Sequence, residues 1–165
     1  MEDLIEAEEL EGFPGAPFTG AIVEAVGARI RAEAGWHIAP KVTETVEIWT
    51  DGGISTILPS LRIVEVTAVR DADTNREIRG WRVNKDTGVL RCRGGVWPEV
   101  IEVDLVHGYD ACPPELLAVA ASRSQQISSG GVKAEALGGH SITFDTGEPV
   151  SSVPAVARYR LHWRP

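Results

Sequence analysis

Apolar and polar positions follow different rhythms along the chain. From 18 to 34 the spacing is helical: Ile22, Val26 and Ile30 stand four apart with Val23 beside them, and Glu24, Arg31 and Glu33 take the outer faces. Thr19 is placed to cap this helix and Gly35 to end it. From 42 to 106 the rhythm shortens to that of strands. Val42, Val46 and Ile48 are β-prone, and Asp51-Gly52-Gly53 predicts a hairpin turn into 54–58. After Pro59, the residues Ile63, Val64, Val66 and Val69 predict a third strand, and 71–75 a turn. The chain returns over 78–83, turns at 85–88 into Val89-Leu90-Arg91-Cys92, and turns again at 93–95. A last strand runs over 101–106, where Val103 and Leu105 alternate with Glu102 and Asp104.

The second helix, 113–128, follows that strand almost at once. Gly108 can take the backbone angle of a sharp exit, and Pro113 and Pro114 sit where a helix tolerates proline. Glu115 suits the positive end of the helix dipole. Leu116, Leu117, Val119, Ala120, Ala121 and Ile127 form a broad, small-residue apolar face, which predicts packing on more than one side. At the front, 1–11 reads as a short acidic helix anchored by Leu4, Ile5 and Leu10, closed by the glycines and prolines of 12–17. Behind the second helix, 128–131 reads as a flexible joint, 141–144 as a lone strand and 149–165 as a proline-punctuated basic tail. The expected fold is α+β: a helical hairpin or bundle with an inserted, small, sandwich-like antiparallel β-sheet and extended N- and C-terminal arms. The expected boundaries are an acidic segment at 1–17, one domain at 18–130 and a C-terminal arm at 131–165.

Composition narrows the function. The 165 residues are 43% hydrophobic and 24% charged, an ordinary balance for a single domain with arms. The net charge of −8 argues against a general nucleic-acid binder, which relies on Lys and Arg to neutralise phosphates. The charge is uneven. Glu2, Asp3, Glu6, Glu8, Glu9 and Glu11 crowd the front, and Arg158, Arg160 and Arg164 follow the last acid, Glu148. That asymmetry suits head-to-tail contact between copies or two different partners, and equally two solvated tails. No basic and apolar leader opens the chain and no apolar run approaches 18 residues, so neither a signal peptide nor a membrane span is expected.

No site of chemistry emerges. Cys92 and Cys112 are too few and too far apart for a zinc site, and His37, His107, His140 and His162 are scattered without metal-ligand spacing. No GxSxG and no phosphate-binding loop is present, although a triad assembled in space would leave no sequence mark. His107 and Asp110 could be taken as a dyad, but a histidine beside Gly108-Tyr109 more commonly hydrogen-bonds a turn. The expectation is no catalytic residue, no metal, no cofactor and no enzyme.

Several pieces together resemble the head-to-tail adaptor, or head-tail connector, proteins of tailed siphophages, especially those of actinobacterial phages. They are Ile30-Arg31-Ala32-Glu33-Ala34-Gly35-Trp36-His37-Ile38-Ala39-Pro40 and then Val42-Thr43-Glu44-Thr45-Val46. Leu58-Pro59-Ser60-Leu61 with Val64-Glu65-Val66-Thr67-Ala68-Val69 is similar to the family's proline-then-valine strand. Gly88-Val89-Leu90-Arg91 and Trp97-Pro98 resemble the hairpin before its last strand. His107, Gly108 and Tyr109 with Pro113 or Pro114 resemble its strand-to-helix junction, and Tyr159-Arg160-Leu161 the end of its C-terminal arm. The resemblance runs from about residue 4 to 161 and rests on the order of these pieces.

It implies a structural virion protein of the phage neck, assembled in the host cytoplasm. The protein would form a homo-oligomeric ring, a dodecamer matching the portal beneath it, and extend the channel through which double-stranded DNA passes without sequence-specific binding. Its partners would be its own copies, the portal protein, and the next neck or tail protein, a stopper or tail terminator; no membrane is involved. On this reading Ile22, Val26, Ile30, Leu116, Leu117 and Ala120 belong to subunit packing, with the helices forming the ring body and the sheet facing outward against adjacent copies. Arg158, Tyr159, Arg160, Leu161, Trp163 and Arg164 form the portal-binding arm. The alternatives are another neck component, a stopper or tail terminator built as a small β-barrel with little helix, or a cellular binding module using Trp36, Trp49, Trp81, Trp97 and Trp163.

Overall fold

The computed structural model describes residues 2–129, 135–137, 140–142 and 152–161. The chain is α+β and divides into two compact units: one from residues up to 35 with 112–160, which carries the helices, and one from residues 36–111 with 161 onward, of which 36–111 carry six strands.

In the helical unit, α1 spans Gly20–Ala34, α2 Pro114–Ser128 and α3 Ser152–Ala157. Thr19 caps α1 through its backbone: its carbonyl accepts from the amides of Ile22 and Val23, with no side-chain cap bond. Gly35 ends the helix at φ +78, a left-handed angle that glycine adopts without strain, and donates to the carbonyl of Arg31 at 2.8 Å. Val23, Val26, Gly27, Ile30 and Ala34 are buried. A methyl group on Gly27 would stand 3.4 Å from Leu4 Cβ, so the bare backbone there lets the N-terminal segment lie close. That segment is anchored rather than extended. Leu4, Ile5 and Leu10 are buried, and its regular part is a single 3-10 turn, Ala7–Leu10, held by a reciprocal Glu6 and Glu9 capping box.

Pro113 precedes α2 and accepts from the amides of Leu116 and Leu117. Leu116, Val119, Ala120, Ala121 and Ser124 are buried; Ile127, expected on the same apolar face, is 53% exposed. The C-terminal expectations also change. Ser152–Ala157 do not extend away as an arm but form a short helix packed against α1 and α2, and 158–160 follow it as a turn. The strand expected alone at 141–144 is paired: β7, Glu135–Leu137, joins β8, His140–Ile142, as an antiparallel ribbon, and 143–144 lie outside the described residues.

In the strand unit, β1 is Val42–Trp49, β2 Ser55–Ile57, β3 Ile63–Asp71, β4 Trp81–Asn84, β5 Val89–Cys92 and β6 Val100–His107. They form two three-stranded antiparallel sheets, ordered β1-β6-β3 and β2-β5-β4. The Asp51-Gly52-Gly53 turn is present, with the Gly53 amide donating to Asp51 Oδ1 at 2.8 Å, but it does not make a hairpin. It carries the chain from one sheet to the other, since β2 pairs with β5 and not with β1. The β4–β5 hairpin forms as expected across 85–88, while the returning strand starts at Trp81 and Ile78 only bonds back to Val69. One hydrophobic cluster draws from both sheets, with Ile48, Val69, Leu90, Trp97, Ile101, Val103 and Leu105 among its buried members. Strand β6 supplies three of these, Ile101, Val103 and Leu105, from alternate positions, which is the period-two pattern that the sequence carries over 101–106.

Candidate functional site

The family-like junction is built inside the strand unit, where β6 ends beside the segment 36–41. Gly108 has φ +99, and a Cβ there would stand 3.0 Å from the Ile38 carbonyl and 3.2 Å from the Pro40 carbonyl, so no other residue fits without strain. Its amide donates to the Arg62 carbonyl at 2.9 Å, and the Tyr109 amide donates to the Ile38 carbonyl at 2.8 Å. Ile38, a β-branched residue with no exposed surface, sits at φ +68, an angle that costs energy and is held by these neighbours. The Tyr109 ring lies 6.2 Å from Trp36 on centroids, and the Arg62 guanidinium stands 5.7 Å from its centroid.

His107 is 2% exposed. Its Nε2 lies 2.8 Å from Glu44 Oε1 on β1, its Nδ1 is buried with no hydrogen-bond partner among the described residues, and its ring stands 6.0 Å edge-on from His37. The His107–Asp110 dyad does not form. Asp110 is exposed and accepts instead from Lys41, whose Nζ donates to Oδ1 at 2.8 Å and holds the carboxyl below its usual range. The junction thus joins the segment 36–41 to the end of β6 through one cluster of hydrogen bonds.

The outer face of β1-β6-β3 carries a second polar set. Asp104 accepts from Arg70 at 2.8 Å and Thr45 Oγ1 at 2.6 Å, and Arg70 also reaches Glu102. These bonds lower the Asp104 pKa. In the helical unit, Arg123 on α2 binds both oxygens of Glu33 on α1 at 3.0 and 2.9 Å, and Arg29 adds a bond at 3.1 Å. Burial would raise the Glu33 carboxyl, but the two arginines outweigh it and hold it below its ordinary value. Cys112 is pushed up to about 12 by burial and by nearby Glu9, against a smaller opposing pull from Arg31. Both cysteines are buried free thiols. Among the described residues no group of three or more His, Cys, Asp or Glu could hold a metal, and no helix is long and apolar enough to cross a membrane.

The residues expected to pack subunits divide by exposure. Val26, Ile30, Leu116 and Ala120 are covered within one copy of the chain, while Ile22 and Leu117 stay half-buried. Of the expected arm, Tyr159 donates from its hydroxyl to Glu115 Oε2 at 3.2 Å and Arg160 Nε donates to the Glu33 carbonyl at 3.2 Å. Arg158 is exposed and Leu161 half-buried; Trp163 and Arg164 lie outside the described residues.

Sequence reasoning passed over a third feature. Strand pairing sets Arg82 on β4 directly opposite Arg91 on β5, and both are exposed on the outer face of β2-β5-β4. With Asn84, Lys85, Thr87 and Val89 they line a shallow concavity. Neither arginine makes an ion pair among the described residues. The signal was available: a hairpin closed over 85–88 pairs 84 with 89, and so 82 with 91.

The chain is α+β, with a strand unit inserted in sequence between two helices. Similar folds are found in gene transfer agent (GTA) particles. A chain of the virion of the native GTA particle matches with a TM-score of 0.63 at 16% identity, covering 98% of this chain and 92% of that one. A chain of the neck of the native particle, computed with C12 symmetry, matches with a TM-score of 0.59 at 18% identity over 88% and 82%. One from the neck of the empty particle, computed with C6 symmetry, gives 0.58 at 14% over 99% and 96%. No protein-family model and no curated protein matches the chain.

Proposed function

We propose that this chain is a structural neck protein of a phage-like particle, with no enzymatic role. Copies of it form a ring, twelvefold in the simplest case, that docks on the portal, extends the DNA channel and joins capsid to tail. One observation supports the reading most: the fold likeness to GTA neck and virion chains covers 88–99% of this chain and 82–96% of those chains, one of them from a neck computed with C12 symmetry. The order of family-like segments from 30–40 to 159–161 supports the adaptor among neck components, and the two 15-residue helices favour it over a small β-barrel stopper or terminator. The net charge of −8 suits a conduit, because a lumen rich in cations would hold DNA rather than pass it.

Deleting the gene from the parent phage and imaging the lysate tests this. Separate tails beside tailless heads, many emptied of DNA, are expected. Normally joined particles would overturn the reading.

A further inference from the structure

We propose that the outer face of β2-β5-β4, centred on Arg82 and Arg91, is the docking surface for the acidic N-terminal segment of a second copy of this chain. The inference rests on the ring reading above and says how adjacent copies meet.

Two like charges placed directly opposite on a sheet repel each other, and a neighbouring anion relieves that repulsion. Arg82 and Arg91 have no such anion among the described residues. The Lys85 ammonium, at the turn of the same hairpin, donates to the Val64 carbonyl on β3, and the nearest acid in sequence is Asp86 at that turn. In a chain of net charge −8, this face is a local excess of positive charge. The complement stands on the helical unit. Glu6, Glu8, Glu9 and Glu11 are all exposed and form no ion pair with Lys or Arg among the described residues. Leu4, Ile5 and Leu10, buried beneath them, fix the segment, so little entropy is lost when its carboxylates engage a partner.

The two patches lie on different units and differ in sign. A contact between them is therefore heterologous, the head-to-tail kind that closes into a ring when its rotation permits. The apolar side chains of Ile57, 53% exposed, and Val89 lie on the same face as the arginines. That mixture suits a protein surface better than a phosphate backbone.

The test uses isotope-labelled full-length chain, followed by amide chemical shifts across a dilution series. Concentration-dependent shifts confined to residues 2–11 and 82–91, weakened roughly tenfold or more by raised salt, are expected. E8K/E11K and R82E/R91E should each abolish both sets, and the variant carrying all four reversals should restore them. Absence of the paired shifts, or failure of the fourfold variant to restore them, overturns the proposal. Shifts at 82–91 that grow with added duplex DNA while 2–11 stays still would do so too, in favour of a nucleic-acid face. Joined particles after gene deletion would overturn the neck reading and leave this contact between copies standing.

Discussion

Arg123 grips Glu33 with two parallel bonds, at 3.0 and 2.9 Å, and so ties α2 to α1 through groups that keep less than a third of their surface. Breaking one partner leaves the other charge poorly solvated. R123A should lower the stability of the helical unit by about 1–2 kcal/mol, allowing for partial solvent screening. Denaturant unfolding followed by far-ultraviolet circular dichroism would read this; an unchanged midpoint would show the pair to be idle.

The same carboxylate makes stability depend on acid. Glu33, Asp104 and Asp110 all have their pKa values lowered in the fold, so the unfolded chain binds their protons more readily. Their contribution is complete above the unfolded carboxylate range, about pH 4–4.5, and is lost as the pH falls through the folded values. Unfolding midpoints should therefore drop on acidification below that range. E33Q and D104N should each flatten the drop.

Cys112 runs the other way. With its thiol pushed up to about 12, the fold disfavours the thiolate, and stability is lost as pH rises above the ordinary thiol range, about 8.5. Native protein at neutral pH should leave Cys112 unmodified by iodoacetamide over a period in which unfolded protein reacts completely. Mass spectrometry of the alkylated digest decides it.

G108A should destabilise the strand unit by about 1–3 kcal/mol, since it places a methyl group against the Ile38 carbonyl at a left-handed angle. Gly94, with open space at its Cβ, is the control, and G94A should stay within about 0.5 kcal/mol. Equal effects of the two would refute the account of the junction.

The portal-binding role proposed for 158–164 is best probed at Trp163. Tyr159 is bonded to Glu115, so its loss would disturb the helical unit as well. W163A should abolish attachment to portal-bearing heads in a pull-down while leaving the unfolding midpoint unchanged; normal attachment would remove the arm from the portal contact.

Where one periodicity ran uninterrupted, the sequence was legible. The spacing of Ile22, Val26 and Ile30 placed α1, the alternation ending at Leu105 placed β6, and the 85–88 turn placed a true hairpin. What failed were statements about pairing. The Asp51-Gly52-Gly53 turn looks the same whether it closes a hairpin or sends the chain to another sheet, because the turn is local and the partner strand, β5, lies more than thirty residues on. Helix α3 was hidden by Pro154, which reads as a breaker yet is tolerated in a first helical turn. His107 was seen, but not that Glu44 would be its partner, since their meeting depends on the β1–β6 register.

The Tyr109 amide rests on the Ile38 carbonyl, so the strand unit begins and ends at one point. For the helices on either side, this long excursion is topologically a short loop, closed at a single stapled neck. Closure entropy for α1 and α2 is then set by that staple and not by the length it encloses. Insertions or wholesale replacement of the strands, provided they return to the same point, would leave the helical unit's folding nearly undisturbed. The strand unit is in this sense a cassette, free to diverge with whatever surface it must meet.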